Sequence, residues 1–142
     1  FIVFVYYRNF ETVIFVHALF LFLLILSREM IKDLENLSGD IAQDYRTIPI
    51  LYGTPISKAS IFCLILLSLL PSLLLIFRFD VGFMYFYFIG CVVLLLLFLV
   101  LLVRAETKKD YIWLHNILKL IIVVGVFSIL LIDVNLVLNR IL

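Results

Sequence analysis

Residues 28–53 read REMIKDLENLSGDIAQDYRTIPILYG, a polar segment between two stretches that are almost entirely hydrocarbon. Four of its side chains, Glu29, Asp33, Asn36 and Asp40, are spaced by four, three and four residues. At about 100° per residue, they fall within roughly 60° of one another on a helix. The segment therefore predicts one stripe of oxygen atoms at the end of a membrane span, and oxygen atoms are the ligands that a hard cation prefers.

Composition places the chain among integral membrane proteins. Of its 142 residues, 66% are hydrophobic, and the mean hydropathy is +1.29. A water-soluble fold would lack a polar surface over most of this length. The basic residues are scattered along a chain of net charge +1, which argues against a nucleic-acid-binding patch. We expect residues 1–142 to form a single all-α transmembrane domain, part of a larger bundle.

The apolar segments predict four transmembrane helices, since a helix needs about 20 apolar residues to cross a bilayer. Their expected bounds are residues 12–27, 59–77, 81–103 and 113–131. The first segment is only 16 residues long, so its helix must continue into the polar segment. Gly39 and Pro49 are expected to end that helix, and the next one to begin near Ser57. This gives a polar Asp-rich loop at residues 28–58 and a second polar loop at residues 104–112.

Polar side chains inside the predicted spans are few. His17 lies within the first span, where we expect it to hydrogen-bond to a neighbouring helix. Lys119 lies six residues into the last span, and its ammonium group is expected to reach the membrane surface. So few inward-facing polar groups argue against a transporter.

The distribution of basic residues predicts how the chain is oriented. Seven of them fall on the side of the two polar loops and three on the opposite side. Because cytoplasmic loops carry the excess of lysine and arginine, both loops are expected to face the cytoplasm, at the inner or plasma membrane.

Asp33, Asn36 and Asp40 form a candidate Mg²⁺ site. Mg²⁺ keeps several of its waters and is commonly bound by one or two carboxylates together with the phosphates of a substrate. Lys32, Arg28 and Arg46 would then meet the remaining phosphate oxygens. The alternative is a solvated loop, in which carboxylates and lysines form surface pairs of little energetic consequence.

Residues 28–40 (REMIKDLENLSGD), with RTIP at 46–49 and YG at 52–53, resemble the second Asp-rich motif of the UbiA superfamily of intramembrane prenyltransferases. That motif reads approximately D-x-x-D-x-x-x-D, with Gly before the last Asp and a basic-Thr-x-Pro segment after it. The R-E-x-x-K-D variant is most similar to the branch that contains digeranylgeranylglyceryl phosphate synthase.

The resemblance implies both a fold and a reaction. The fold is a bundle of nine transmembrane helices, of which this chain would supply the C-terminal half. In the reaction, Mg²⁺ held by two Asp-rich motifs binds the diphosphate of a polyprenyl donor, and a lipid or aromatic acceptor attacks the prenyl group. By position, Asp33, Asn36 and Asp40 become the catalytic and metal-binding residues, while Lys32 and Arg46 become contacts of the diphosphate.

The chain departs from the family pattern in two ways. Asn36 stands where the family usually has Asp, so metal binding is expected to be weaker. The family's first motif, N-x-x-x-D-x-x-x-D, is absent, so this chain alone is expected to be inactive, as the C-terminal part of a longer enzyme or a degenerate homologue. A different class of protein, a non-catalytic membrane subunit whose polar loop binds a partner, is the alternative. The acceptor stays open between a glycerol phosphate lipid, a quinone precursor and a porphyrin-type ring.

Overall fold

The computed structural model describes residues 12–79 and 84–128, most of which lie in six helices. Four helices are long, namely α1 (Thr12–Glu35), α4 (Thr54–Phe77), α5 (Met84–Arg104) and α6 (Lys108–Ser128). Two short helices, α2 (Leu37–Ala42) and α3 (Ile48–Tyr52), lie between α1 and α4. No strand occurs within the described ranges, and the predicted all-α fold is confirmed.

Each of the four long helices is long and apolar enough to cross a membrane. The chain is therefore an integral membrane protein with four candidate spans in its described part, as predicted. A helix of 24 residues, such as α1, is roughly 36 Å long, which exceeds the hydrocarbon thickness of a bilayer. The extra length lets the polar end of α1 extend beyond the hydrocarbon.

The predicted starts of two helices were wrong. Helix α4 begins at Thr54 rather than near Ser57, because Pro55 occupies the first helical turn, where its missing N–H would have no partner in any case. Helix α6 begins at Lys108, five residues before the predicted span, so only residues 105–107 of the second polar loop are non-helical. Residues 81–83 and 129–131 of the predicted spans lie outside the described residues.

The four long helices form a closed ring. Helix α1 packs against α4 and α6, and α5 packs against the same two helices. Lys58, near the start of α4, contacts Ala105, just after the end of α5. Glu35, the last residue of α1, contacts His115 in the second turn of α6. These contacts bring the two predicted polar loops together at one end of the bundle, which we call the polar end.

Large apolar side chains fill the centre of the ring. Phe20, Phe88 and Phe98 are fully buried, and the rings of Phe20 and Phe88 meet edge to face with centroids 5.7 Å apart. His17 also packs edge-on against Phe88, at 5.7 Å. Its Nε2 atom is buried without a hydrogen-bond partner among the described residues, so this atom does not make the predicted bond to a neighbouring helix.

Helices α5 and α6 approach each other closely at Gly125. The Tyr87 hydroxyl of α5 donates a hydrogen bond of 2.9 Å to the carbonyl oxygen of Ile121, one turn before Gly125 on α6. A Cβ atom at Gly125 would lie 3.0 Å from Tyr87 Cζ and closer still to its hydroxyl oxygen. Small residues commonly allow such contacts between membrane helices, where close packing and hydrogen bonds replace the hydrophobic effect.

Gly125→Ala is expected to lower the free energy of unfolding by about 1–3 kcal/mol, because the added methyl group overlaps the Tyr87 side chain. Gly90→Ala on α5 is the matched control, since nothing lies within 4 Å of a Cβ atom there. The control should be neutral or stabilise by up to about 1 kcal/mol through helix propensity. Thermal unfolding in detergent measures both, and equal effects would contradict the close contact.

Candidate functional site

The acidic segment is helical on both sides of a break at Asn36. Helix α1 ends at Glu35, Asn36 has φ −99° and ψ 11°, and α2 carries Asp40 in its first turn. The predicted end of the helix at Gly39 was therefore wrong, because the break comes three residues earlier. Two backbone hydrogen bonds of 3.0 Å, from Asn36 N to Lys32 O and from Asp40 N to Asn36 O, preserve the helical spacing across the break.

The acidic stripe lies on the face of α1 that points away from the four-helix core. The buried positions of α1 recur every three or four residues and form one stripe: Phe20, Leu23, Leu24, Ser27, Met30, Ile31 and Leu34. On a helical wheel, Glu29 and Asp33 lie more than about 100° from the centre of that stripe. They continue instead the line of exposed apolar side chains formed by Leu19, Phe22 and Leu26.

Asp33 lies within electrostatic range of three charged side chains, those of Asp40, Glu29 and Lys32. Glu29 is neutralised by Arg28, whose Nη1 is 2.6 Å from Oε1, and by Lys32, whose Nζ is 3.7 Å from Oε2. Asp33 and Asp40 have no salt bridge within the described part of the chain. Two neighbouring, half-buried carboxylates that repel each other are a donor set that a divalent cation would stabilise.

The described residues supply only part of a metal shell. Within residues 12–79 and 84–128, no group of three or more His, Cys, Asp or Glu side chains could hold a metal ion. Asp33 and Asp40, with the amide oxygen of Asn36, nevertheless fit Mg²⁺, which uses few carboxylates and keeps several waters. None of the three cavities described in the structure is lined by these residues.

The two predicted diphosphate contacts are placed differently. Lys32 is exposed beside Glu29 and close enough to Asp33 for their charges to interact. Arg46 is exposed in the link between α2 and α3, and it makes no hydrogen bond or ion pair with the described residues. The structure thus brings Asp33, Asp40 and Lys32 together, and it leaves Arg46 in solvent.

A cleft of about 390 Å³ opens on the other side of α1, at the polar end of the bundle. Its walls come from the ends of α1, α2, α4 and α6 and from the loop before α6: Leu34, Glu35, Leu37, Ser38, Thr54, Lys58, Glu106, Lys108 and Tyr111. The sequence did not predict this cleft, because its residues come from segments as far apart as Leu34 and Tyr111 and share no motif.

Lys58 stabilises the end of α5 from within this cleft. Its ammonium group donates a hydrogen bond to the carbonyl oxygen of Ala105 and lies 5.9 Å from the centre of the Tyr111 ring. Carbonyl groups at a helix C-terminus have no intrahelical partner and carry partial negative charge, so a cation is favourable there. The half-buried position of Lys58 is explained by this contact.

The start of α6 is fixed by a reciprocal cap. The Asp110 carboxylate accepts hydrogen bonds from the backbone N–H groups of Glu106 and Thr107, at 3.1 and 2.8 Å. It also accepts one from the Thr107 hydroxyl, at 2.9 Å. The order Thr-x-x-Asp is the acidic form of a capping box, and it holds the loop between α5 and α6 in a short, defined turn.

A hydrogen bond of 2.9 Å joins α1 to α6 beside the acidic segment. Its donor is Nδ1–H of His115 and its acceptor is Oε2 of Glu35. The two side chains are only 18% and 19% exposed, and the residues are 80 positions apart in sequence. No sequence pattern predicted this pair, because neither residue belongs to the acidic stripe.

Comparison with known proteins gives two relatives. One, from Methanosphaera stadtmanae, is 40% identical over 60 residues, which are 42% of this chain and 21% of the relative. The other, from Methanobrevibacter smithii, is 33% identical over 94 residues, which are 65% of this chain and 32% of the relative. Both are named digeranylgeranylglyceryl phosphate synthase.

The chain is similar to these synthases. The resemblance predicted from residues 28–53 is thereby confirmed, and the matched regions span about a fifth and a third of the relatives' length. No protein-family model matches the chain. No solved structure matches it either.

If Asp33 and Asp40 hold a divalent cation, Asp33→Asn or Asp40→Asn should weaken Mn²⁺ binding by about tenfold or more, since even indirect partners of a metal are often worth that much. Electron paramagnetic resonance of the full-length protein measures free and bound Mn²⁺. Asp44→Asn is the matched control, because Asp44 is exposed at φ 55°, where asparagine is well tolerated. Equal Mn²⁺ affinity in all three variants would contradict a metal site at Asp33 and Asp40.

Proposed function

We propose that this chain is part of a membrane prenyltransferase that transfers a polyprenyl group from its diphosphate to a lipid or aromatic acceptor, with Mg²⁺ as cofactor. The observation that carries the proposal is the pair of neighbouring carboxylates, Asp33 and Asp40, in a chain similar to two synthases of this kind. A glycerol phosphate lipid is the acceptor that the names of these relatives favour.

In this proposal the polar residues at and beyond the C-terminal end of α1 divide into metal ligands and diphosphate contacts. Asp33, Asp40 and the Asn36 amide oxygen hold the metal, while Lys32, and Arg46 after a movement of its loop, contact diphosphate oxygens. When bound, Mg²⁺ neutralises negative charge on the departing diphosphate. The C1–O bond breaks with its electron pair leaving on the pyrophosphate, and the acceptor forms a bond to C1 and releases a proton.

The exposed face of α1 suits an isoprenoid substrate. Leu19, Phe22 and Leu26 lie on the same side of the helix as Glu29 and Asp33, so apolar surface leads directly to the carboxylates. A prenyl chain could lie along the apolar part with its diphosphate at the acidic part. Closed by a second apolar wall, this face would keep water away from the positive charge that develops at C1.

The reaction needs a second wall opposite this face of α1. None of the described cavities is lined by Asp33 or Asp40. We propose that further helices of the whole protein provide that wall and the missing N-x-x-x-D-x-x-x-D motif. The polar end, with its excess of basic residues, would face the cytoplasm, where water-soluble diphosphate is released.

A non-catalytic membrane subunit is the second candidate. It is favoured by Asn36, which brings no charge, and by the lack of a three-residue metal cluster among residues 12–79 and 84–128. In this case the acidic segment would bind a partner protein rather than a substrate.

Asp40→Ala in the full-length protein separates these two functions. Prenyl transfer to a glycerol phosphate lipid, measured with a radiolabelled prenyl diphosphate, should fall by about a hundredfold or more, because one of two charged ligands of the metal is lost. Asp44→Ala should leave the rate unchanged. Equal activity of the two variants would contradict the catalytic role of Asp40 and favour the subunit.

Asn36→Asp tests the role of the amide. The change adds a negative charge beside Asp33 and Asp40, so the Mg²⁺ concentration that gives half-maximal prenyl transfer should decrease by several-fold. Asn116→Asp, an exposed residue on α6, is the control and should leave this concentration unchanged. An unchanged Mg²⁺ requirement for Asn36→Asp would contradict a ligand at position 36.

A further inference from the structure

The hydrogen bond between Glu35 and His115 lies at the point where α1 stops. Glu35 is the last residue of α1 and directly precedes the break at Asn36. His115 lies in the second turn of α6, whose start is fixed by the cap from Asp110. Both side chains are mostly buried, so the bond is less exposed to competing water than a surface pair would be.

Helix α2 has little packing of its own to hold Asp40 in place. It is six residues long and contains no buried residue. It is joined to α1 by the chain through Asn36 and by the backbone hydrogen bonds of that residue. One of these bonds, from Asn36 N to Lys32 O, closes the last turn of α1, so the spacing between Asp33 and Asp40 depends on that turn staying folded.

Glu35 and Asp33 point in different directions. Two residues apart on a helix, their side chains are separated by about 160° around the axis. His115 thus lies on the core side of α1, while the acidic stripe lies on the opposite side. Any influence of His115 on a cation at Asp33 and Asp40 must act through the position of the helix end.

We propose that His115 is a positioning residue for the acidic site. Through its hydrogen bond to Glu35, it fixes the last turn of α1 against α6 and so sets the separation between Asp33 and Asp40. This role rests on the proposed function, since it requires that the two carboxylates bind a common cation.

The test uses Mn²⁺ binding to the full-length protein, measured by electron paramagnetic resonance. His115→Ala should raise the Mn²⁺ dissociation constant by about tenfold, the lower end of the effect of an indirect metal partner. His115→Asn places an amide N–H near the position of Nδ1, so it should restore most of the affinity. The double variant Glu35→Ala, His115→Ala should bind Mn²⁺ no more weakly than either single variant, because both changes remove the same hydrogen bond.

Tyr87→Phe is the control for a merely structural role. It removes another hydrogen bond between long helices, from Tyr87 to the Ile121 carbonyl, far from the acidic segment. It should lower the thermal unfolding temperature about as much as His115→Ala and leave Mn²⁺ binding unchanged. If His115→Ala behaves in the same way, the positioning role is wrong.

Two further outcomes distinguish this inference from the proposed function. If the protein binds Mn²⁺ through Asp40 and His115→Ala weakens that binding, but no prenyl transfer occurs, the positioning role stands and the proposed function fails. If prenyl transfer depends on Asp40 while His115→Ala and His115→Asn both bind Mn²⁺ as tightly as the unchanged protein, the function stands and the positioning role is overturned.

Discussion

The hydrocarbon of a membrane offers no partner for a charge or for an unpaired backbone group. Long helices satisfy this constraint along their length, because every internal N–H and C=O group bonds within the helix. Helix ends do not, so their groups must find partners or lie outside the hydrocarbon. In the described residues, the polar end meets this need with Lys58 at the end of α5 and Asp110 at the start of α6.

The same constraint gives α1 two different faces. One is apolar apart from Ser27 and packs against α4 and α6. The other is apolar over Leu19, Phe22 and Leu26, and then acidic at Glu29 and Asp33, where the helix extends beyond the hydrocarbon. In the proposed function, the packed face would hold α1 in a fixed position while its exposed face contacts the substrate.

The polar end also keeps two groups of charges apart. Glu35, His115 and Lys58 serve contacts between helices, on the core side of α1. Asp33 and Asp40 lie on the opposite side, close to each other and without an ion pair among the described residues. The Glu35 carboxylate is already bonded to His115, so it would not compete with the acidic pair for the proposed cation.

The sequence by itself determined the four spans, the all-α fold and the acidic stripe. Each follows from local rules, since hydropathy marks a span and a spacing of three and four residues marks one side of a helix. Asp33 and Asp40 keep the relative positions that a continuous helix predicts, despite the break at Asn36, because backbone hydrogen bonds preserve the helical spacing there.

Only the tertiary structure decided which way that stripe points and what holds it. The orientation of α1 depends on which of its faces packs against α4 and α6, and all of its faces are apolar along the span. The Glu35–His115 bond joins residues 80 positions apart, and the cleft beside it draws on four helices. Such contacts depend on how distant segments meet in space, and a pattern within one segment carries no information about them.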